Sequence, residues 1–452
     1  MKQQKLFTSF AQVKRVCIFR LSAIGDILNL IPSVELLLKN YPQVEVTWII
    51  GSGEYNLFRH LTQKYPQLTF MVFNKRKTSY FQAYKQFKEL SKVPFDLLIH
   101  AQTSLRANFL STFIKAKLKV GYSKERSYEG HSLVVDYNIP YQNSMHVVFN
   151  YFDLFKPFFS EQDCLEFKQK VVDTKLLYIG EYPQHLQEQK DLKPLIDLCL
   201  GEPNSELAKS NISPHNQNLY RLLLSFSNFA PAENKQREGR LIFINPASSA
   251  VKKNWTKEGY VALIKHLIQS GHRVVVTGGK NHVELELVNG VAQEIKEYIL
   301  EAQPELTCKG IARSGRQVFF NLAGKTTLTE LCLFISLADL VISPDSGPMH
   351  LASCLGIPTI GLFAYINPLR SGPIQGVSDV VSVFHKNTYQ KDLEFTDHQY
   401  VQDLKNWHKK PPRAGKDLMK QISPQEVIER TDLVLKRLDL QQNVQTPYKQ
   451  YV

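Results

Sequence analysis

Short, unbroken apolar runs alternate along the chain with longer stretches in which apolar residues recur every three or four positions. Val16-Cys17-Ile18-Phe19 is such a run, the pattern of a strand covered on both faces. A turn at Ser22 to Asp26 follows it. Ile27, Leu28, Leu30, Ile31, Val34, Leu37 and Leu38 then repeat at helical spacing, with Pro32 predicting a kink or an early stop. Val44 to Ile50 and Phe95 to His100 read as further strands, the second ending in a polar turn. Strand, turn, helix, strand in this order predicts a parallel sheet with helices on both faces.

The alternation breaks off over 178–240, which is rich in Gln, Asn, Glu, Lys and Pro and only weakly periodic. This stretch is expected to be a linker with an insertion, carrying at most a helix at Leu219 to Phe226. A second series begins at Leu241-Ile242-Phe243-Ile244. The helix Tyr260 to Ser270 is stopped by Gly271, and the strand Val274 to Thr277 ends in Gly278-Gly279. The helix Leu328 to Leu337, the strand Leu340 to Ser343, the short helix Pro348 to Leu355 and the strand Thr359 to Phe363 follow. A last helix is expected over Pro424 to Leu440. The fold class is therefore α/β, with two doubly wound, Rossmann-like domains at 1–177 and 241–385 and a C-terminal extension at 386–452. Two such domains suit a ligand held in a cleft between them, contacted by the residues just after each strand.

Length agrees: 452 residues exceed one ordinary core. Charge narrows the partners. With 55 basic against 42 acidic residues, the net charge of +13 favours anionic ones: nucleotides, phosphorylated lipid surfaces or nucleic acid. No zinc-finger spacing or aromatic ribonucleoprotein motif supports nucleic acid. The polar opening, Met1 to Phe10, lacks the apolar core of a signal peptide, and no apolar run reaches membrane-spanning length. A cytoplasmic protein is expected. Six scattered cysteines without a CxxC pair predict reduced, mostly buried thiols and neither zinc nor disulfides.

Four post-strand turns carry candidate chemistry. In Ser22-Ala23-Ile24-Gly25-Asp26, Asp26 sits at a helix start. It is either an acid that complements the helix dipole or a general base. In Pro344-Asp345-Ser346-Gly347-Pro348-Met349-His350, a helix N-terminus offers free amides to a diphosphate, with Ser346 able to cap, Gly347 permitting close approach and His350 in the first turn. Asn245 to Ser249 followed by Lys252-Lys253 places Ser248, Ser249 and a lysine where phosphate oxygens would be held, or is a turn with solvated lysines. After Thr277-Gly278-Gly279, Glu284 is placed to accept ribose hydroxyls, while Glu286, two positions on, diverges from it. Trp255 reads as packing. Basic clusters at Lys75-Arg76-Lys77, at Lys115, Lys117 and Lys119, and at Lys409-Lys410 with Arg413 and Lys416 read first as solvated faces.

Other signals fail. Asn56 stands where a dinucleotide fingerprint beginning at Gly51 needs its third glycine, and Phe319 replaces the first glycine of a P-loop ending in Gly324-Lys325-Thr326. No Asp-x-Asp pair occurs, so no diphosphate-holding metal is expected, and lysine with helix amides would meet the leaving charge.

With these residues in view the sequence resembles glycosyltransferase family 9, the lipopolysaccharide heptosyltransferases. Phe19 to Asp26 is similar to the family's opening block. Phe95 to Gln102 with Leu105-Arg106-Ala107 and Val120-Gly121-Tyr122 resembles the second, and Asn245 to Trp255 and Val275 to Gly279 the next two. Asn321 to Thr326 then leads to the highly specific Asp345-Ser346-Gly347-Pro348-Met349-His350-Leu351-Ala352, to Gly361-Leu362-Phe363 and to Asn367-Pro368-Leu369-Arg370. Ala364 and Tyr128 depart from the usual glycine and arginine.

The resemblance implies a GT-B fold and inverting, metal-independent transfer without a cofactor. The donor would be ADP-heptose and the acceptor a Kdo residue of Kdo-lipid A, at the cytoplasmic face of the inner membrane. Position by position, Asp26 would be the base. Ser248, Ser249 and Lys253 would bind the donor diphosphate, and Asp345, Ser346, Gly347 and His350 would line the donor site. Glu284 would contact ribose, and Arg106 and Arg126 would face the anionic acceptor. The alternatives are another core position, another nucleotide sugar, or a non-enzymatic protein that binds anionic lipid or nucleic acid.

Overall fold

The structure, a computed structural model, describes residues 7–75, 77–127, 129–140, 146–173, 239–301, 318–374, 379–389, 411 and 417–440. The chain divides into two compact units, Met1–Leu176 and Leu177–Val452. The expected helix at 219–226, nearly all of the 178–240 stretch, Arg76, Tyr128, Cys199, Cys308 and the lysines at 409 and 410 with Arg413 and Lys416 lie outside the described residues.

Unit 1 is a six-stranded sheet of β1 (Arg15–Phe19), β2 (Glu45–Gly51), β3 (Leu68–Phe73), β4 (Phe95–His100), β5 (Ala116–Tyr122) and β6 (Tyr137–Ile139). Every neighbouring pair is parallel, in the order β3-β2-β1-β4-β5-β6. Unit 2 contains β7 (Leu241–Ile244), β8 (Arg273–Val276), β9 (Phe319–Asn321), β10 (Leu340–Pro344), β11 (Thr359–Phe363) and β12 (Val381–Ser382). Its order, β9-β8-β7-β10-β11-β12, repeats the same doubly wound topology, again all parallel. The winding reverses between β1 and β4 in one unit and between β7 and β10 in the other. Open α/β sheets bind ligands at the carboxyl ends of strands flanking such a reversal.

The central strands are mainly apolar and buried almost throughout, which is why their sequence signal is strong. β3 mixes buried with exposed positions, β5 adds two lysines to such a mix, and their signal is correspondingly weak. The helix Ile24–Asn40 does not stop at Pro32. An interior proline costs roughly 3 kcal/mol. Val34, Leu36, Leu37 and Leu38 beyond it are all buried, and their burial at roughly 2 kcal/mol each outweighs that cost. The C-terminal helix Pro424–Asp439 is no appendage: Val427, Val434 and Leu435 belong to the same core as β7, β8 and the helix Lys257–Gln269. Trp255 joins that core, its indole N–H donating to the Ile422 carbonyl at 2.9 Å. Cys17, Cys332 and Cys354 are buried free thiols, and Cys164 is half-buried.

Under the carboxyl ends of β4 and β5 lie two buried imidazoles, His100 and His131, with ring centroids 4.5 Å apart. His131 Nε2 accepts from the Tyr122 amide at 3.1 Å, so its Nδ1 carries the proton toward Asn108 Oδ1 at 2.8 Å. Burial pulls His131 down to about 4, and His100 is shifted in the same direction by burial and by His131. Because the folded form resists protonation, this contribution is complete above the unfolded value of about 6.5 and is lost as pH falls from there toward 4. The protection factors of the β5 amides, exchange rates corrected for the intrinsic pH dependence, are expected to fall over that window. A His131→Gln variant should show a shallower acid limb. An identical limb would place the acid sensitivity elsewhere.

Candidate active site

At the reversal point of unit 1, the chain leaves β1 at Phe19 and enters the helix Ile24–Asn40 with Asp26 in its first turn. Arg20, directly after the strand, is buried and ion-paired with Asp26, its Nη2 on Oδ2. Arg20 Nη1 also donates to the Ala101 carbonyl at the end of β4, at 2.5 Å. Burial works against the Arg20 charge; Asp26 and the phenols of Tyr151 and Tyr122 more than offset it, and the guanidinium lies above its ordinary value. Tyr151, on the helix Val147–Phe152, donates its hydroxyl to Asp26 Oδ1 at 2.8 Å and is pushed well above 10, first by burial and then by Asp26. The Ala23 amide adds a third contact to the carboxylate, at 3.3 Å. Asp26 nevertheless keeps 39% of its side-chain surface exposed. A carboxylate held on both oxygens with one edge open is fixed in orientation and accessible to a substrate hydroxyl.

A basic corner adjoins it. Lys75 donates to the Ser22 hydroxyl, and Arg106 Nη2 donates to the Lys75 carbonyl at 2.8 Å. Burial, then the charges of Arg20 and Arg106, draw the Lys75 ammonium below its usual range, with Glu54 opposing. Arg106 is exposed, as an acceptor contact requires. Arg126 is not. Its side chain is 5% exposed, paired with the equally buried Asp153 at 3.3 Å and stacked over Tyr122 at 4.3 Å. The expectation that Arg126 faces an anionic acceptor is therefore corrected, because Asp153 draws the guanidinium inward.

At the reversal point of unit 2, Asn245 follows β7 and organises the turn after β10. Its amide donates to the Ala247 carbonyl at 2.7 Å and to Ser346 Oγ at 3.1 Å. Ser346 occupies the N-cap position of the helix Gly347–Cys354, yet its hydroxyl makes no capping bond; it is 2.8 Å from Ser343 Oγ instead. The N-cap side chain therefore leaves the first helical amides, beginning at Gly347, without a capping bond. Lys253 Nζ sits 2.7 Å from Asp345 Oδ2, and His350 Nε2 is 3.4 Å from Oδ1. Burial pushes Asp345 up; His350 and Lys253 overcome it and leave its carboxyl at about 2. A small, shallow hollow opens beside this group, lined by Lys253, Asp345, Phe363, Ala364, Tyr365 and Met419 among others.

Unit 2 thus brings Lys253, Asp345, Ser346, Gly347 and His350 together. Ser248 is buried in its own loop, its amide bonded to Asn254 Oδ1 at 2.7 Å and its hydroxyl donating to the Ala250 carbonyl at 3.0 Å, whereas Ser249 is exposed. Glu284 opens the helix His282–Glu301 and accepts from the Gly279 amide at 2.8 Å, after the unit's second strand, apart from the Asp345 cluster. Among the described residues no His, Cys, Asp and Glu cluster has the geometry of a metal site, and no helix is long and apolar enough to cross a membrane. Sequence reasoning assigned no role to Arg20, Tyr151 or Asn245. An arginine directly after a doubly buried strand was a readable sign; Tyr151, 125 positions from Asp26, offered none.

The profile of Glycosyltransferase family 9 (heptosyltransferase) matches residues 83–400. The chain is 32% identical over 415 residues to the lipopolysaccharide core heptosyltransferase OpsX of Haemophilus influenzae, spanning 92% of this chain and 95% of that protein. It is 25% identical over 261 residues to a lipooligosaccharide heptosyltransferase 2 of Campylobacter jejuni, spanning 56% and 71%. Among solved structures it is similar to E. coli heptosyltransferase WaaC with ADP, with a TM-score of 0.53 and 16% identity over 93% of this chain and 99% of that one. It is also similar to E. coli ADP-heptose lps heptosyltransferase II, with a TM-score of 0.54 and 15% identity over 94% and 99%. At these identities the structural likeness speaks to fold, and the fold is of the GT-B class.

Proposed function

Because this chain belongs to glycosyltransferase family 9 (heptosyltransferase), we propose that it transfers heptose from ADP-L-glycero-D-manno-heptose to a Kdo residue of Kdo-lipid A, with inversion and without a metal. At the coarser level it is a glycosyltransferase, a heptosyltransferase of the lipopolysaccharide core. The observation that carries the finer reading is the half-exposed Asp26 carboxylate gripped by Arg20 and Tyr151 at the reversal point of unit 1.

The reaction is a single displacement. The acceptor hydroxyl gives its proton to Asp26 as its oxygen bonds to the anomeric carbon. The bond from that carbon to the β-phosphate oxygen breaks, its electron pair leaves with ADP, and the configuration inverts. Positive charge builds on the sugar ring in between, as in glycoside hydrolysis. Lys253 and the open amides of the helix Gly347–Cys354 meet the charge developing on the diphosphate. Asp345, ionised down to about 2, anchors the Lys253 ammonium while leaving it an N–H for phosphate. Arg106 and Lys75 face the anionic acceptor, Glu284 the ribose, and the enzyme works at the cytoplasmic face of the inner membrane.

Tyr151→Phe removes one hydrogen bond to the Asp26 carboxylate. The expected result is a fall in kcat of about tenfold, KM little changed, and an acid limb of the rate profile moved to higher pH. A variant that loses only stability, with an unshifted profile, would make Tyr151 a packing residue. The proposal as a whole is tested by incubating the protein with ADP-heptose and Kdo-lipid A, reading product by mass spectrometry and anomeric configuration by NMR. A heptosylated, inverted product formed in the presence of a chelator is expected. Transfer only from another nucleotide sugar, only to a core already carrying heptose, or only with added metal would refute it.

A further inference from the structure

The helices Tyr80–Leu90 and Leu105–Ser111 bury one side in the core of unit 1 through Ala83, Phe87, Ala107 and Leu110. Their other side is unusual. Phe81 is 64% exposed, Leu105 65%, Tyr80 52% and Phe109 50%. Several of them belong to a connected strip, and Phe81 follows Tyr80 directly on the same helix. Tyr80 meets Phe109 edge-on at 5.4 Å, Phe109 meets Phe113 at 5.0 Å, and Tyr84 meets Phe113 at 5.4 Å, so the rings form one strip across both helices. Leu105 and Phe109, four apart, share a face. Large apolar groups on a protein surface that meets only water are normally isolated, and a joined strip of this kind marks an interaction surface.

The cations on the strip say what covers it. Lys85 Nζ lies 4.5 Å from the centre of the Phe81 ring, Lys88 Nζ 5.4 Å from Tyr84, and the Arg106 guanidinium 5.6 Å from Tyr80. Glu89, the acidic residue on this stretch, is matched by Lys92. Cores of protein interfaces are depleted in lysine, and two copies of this face would set like charges against each other. Aromatic rings interleaved with lysine are instead the composition of the headgroup layer of a bilayer, where rings sit at the boundary and ammonium groups meet lipid phosphates.

We propose that this face docks unit 1 on the surface of an anionic phospholipid bilayer. The inference rests on the reading of a lipid-anchored acceptor and supplies what that reading lacks, a place where the enzyme meets the membrane. The same Arg106 that stacks on Tyr80 donates to the Lys75 carbonyl, so the strip ends at the basic corner beside Asp26. A sugar projecting from the bilayer would enter the acceptor site from that edge.

The test uses the full chain and vesicles of phosphatidylglycerol and phosphatidylethanolamine in equal parts, with phosphatidylcholine vesicles as the uncharged control. The wild type is expected to sediment with the anionic vesicles and to be released by salt. Phe81→Ser with Leu105→Ser, and separately Lys85→Glu with Lys88→Glu, should each weaken sedimentation on the order of tenfold or more. Both double variants should keep the wild-type melting temperature and turnover on a water-soluble Kdo oligosaccharide, since these four side chains are exposed and outside the acceptor site. Equal sedimentation of wild type and variants, indifference of the wild type to anionic lipid, or a dimer dissolved by Phe81→Ser with Leu105→Ser would overturn the proposal. Absence of transfer by the wild type on the soluble acceptor would instead refute the proposed function, because sedimentation requires no donor.

Discussion

Asp26→Asn is expected to lower heptose transfer by about 10²- to 10⁴-fold, the usual contribution of a positioned base, while ADP affinity stays near the wild-type value. Asparagine matches the shape of aspartate, and its carbonyl oxygen still accepts from Arg20, but it cannot take a proton from the acceptor. Arg20 is buried and would lose its charge partner. Some stability is therefore lost as well, on the order of 1–2 kcal/mol given how exposed Asp26 is. Measuring ADP affinity by calorimetry beside single-turnover transfer separates the two effects. A folded variant that binds ADP but transfers heptose at that much lower rate is the expected outcome, and unchanged turnover removes Asp26 as the base.

Lys253→Ala should weaken ADP binding by about 10- to 100-fold, the worth of a charge-assisted hydrogen bond. It should also destabilise unit 2, because Asp345 is left buried with His350 alone. Loss of one partner of a buried pair costs roughly 3–5 kcal/mol. The pH dependence has a definite sign. Asp345 is depressed to about 2, so its contribution is present above the unfolded value of about 4 and is lost as pH falls toward 2. Without Lys253 the folded carboxyl rises, the contribution shrinks, and acid unfolding begins at higher pH. Lys253→Met combined with Asp345→Asn tells support from binding. Stability should recover in the double variant while ADP affinity does not. Recovery of both would mean that Lys253 serves the fold and not the diphosphate.

The sequence was most informative where apolar runs are unbroken. Phe95–His100, Leu241–Ile244 and Thr359–Phe363 were readable to the residue because each strand is buried along nearly its whole length around an unbroken apolar run of three or more residues, Leu97-Leu98-Ile99 in the first. β3, β5 and β6 were missed because they lie away from the sheet centre and mix buried with exposed positions. The post-strand turns carrying Asp26 and Asp345 were readable for the same reason as the strands that deliver them. What those acids touch was not: Arg20 was in view without a partner, and Tyr151 reaches Asp26 only because the helix Val147–Phe152 packs on the helix Ile24–Asn40. Arg126 shows the opposite limit. A basic residue in a loop reads as a surface contact, and only the fold reveals the buried Asp153 that holds it.

The account depends on Asp26 taking the proton of the acceptor hydroxyl while Lys253 and the Gly347 amide hold the diphosphate. The most direct test is a crystal structure of the protein with an unreactive ADP-heptose analogue and a Kdo acceptor. The account predicts an acceptor oxygen within about 3 Å of an Asp26 oxygen, with Lys253 Nζ and the amide of Gly347 on the phosphates. An acceptor hydroxyl bonded to another group, with no acceptor oxygen on Asp26 and its carboxylate still held by Arg20, Tyr151 and the Ala23 amide, would contradict it.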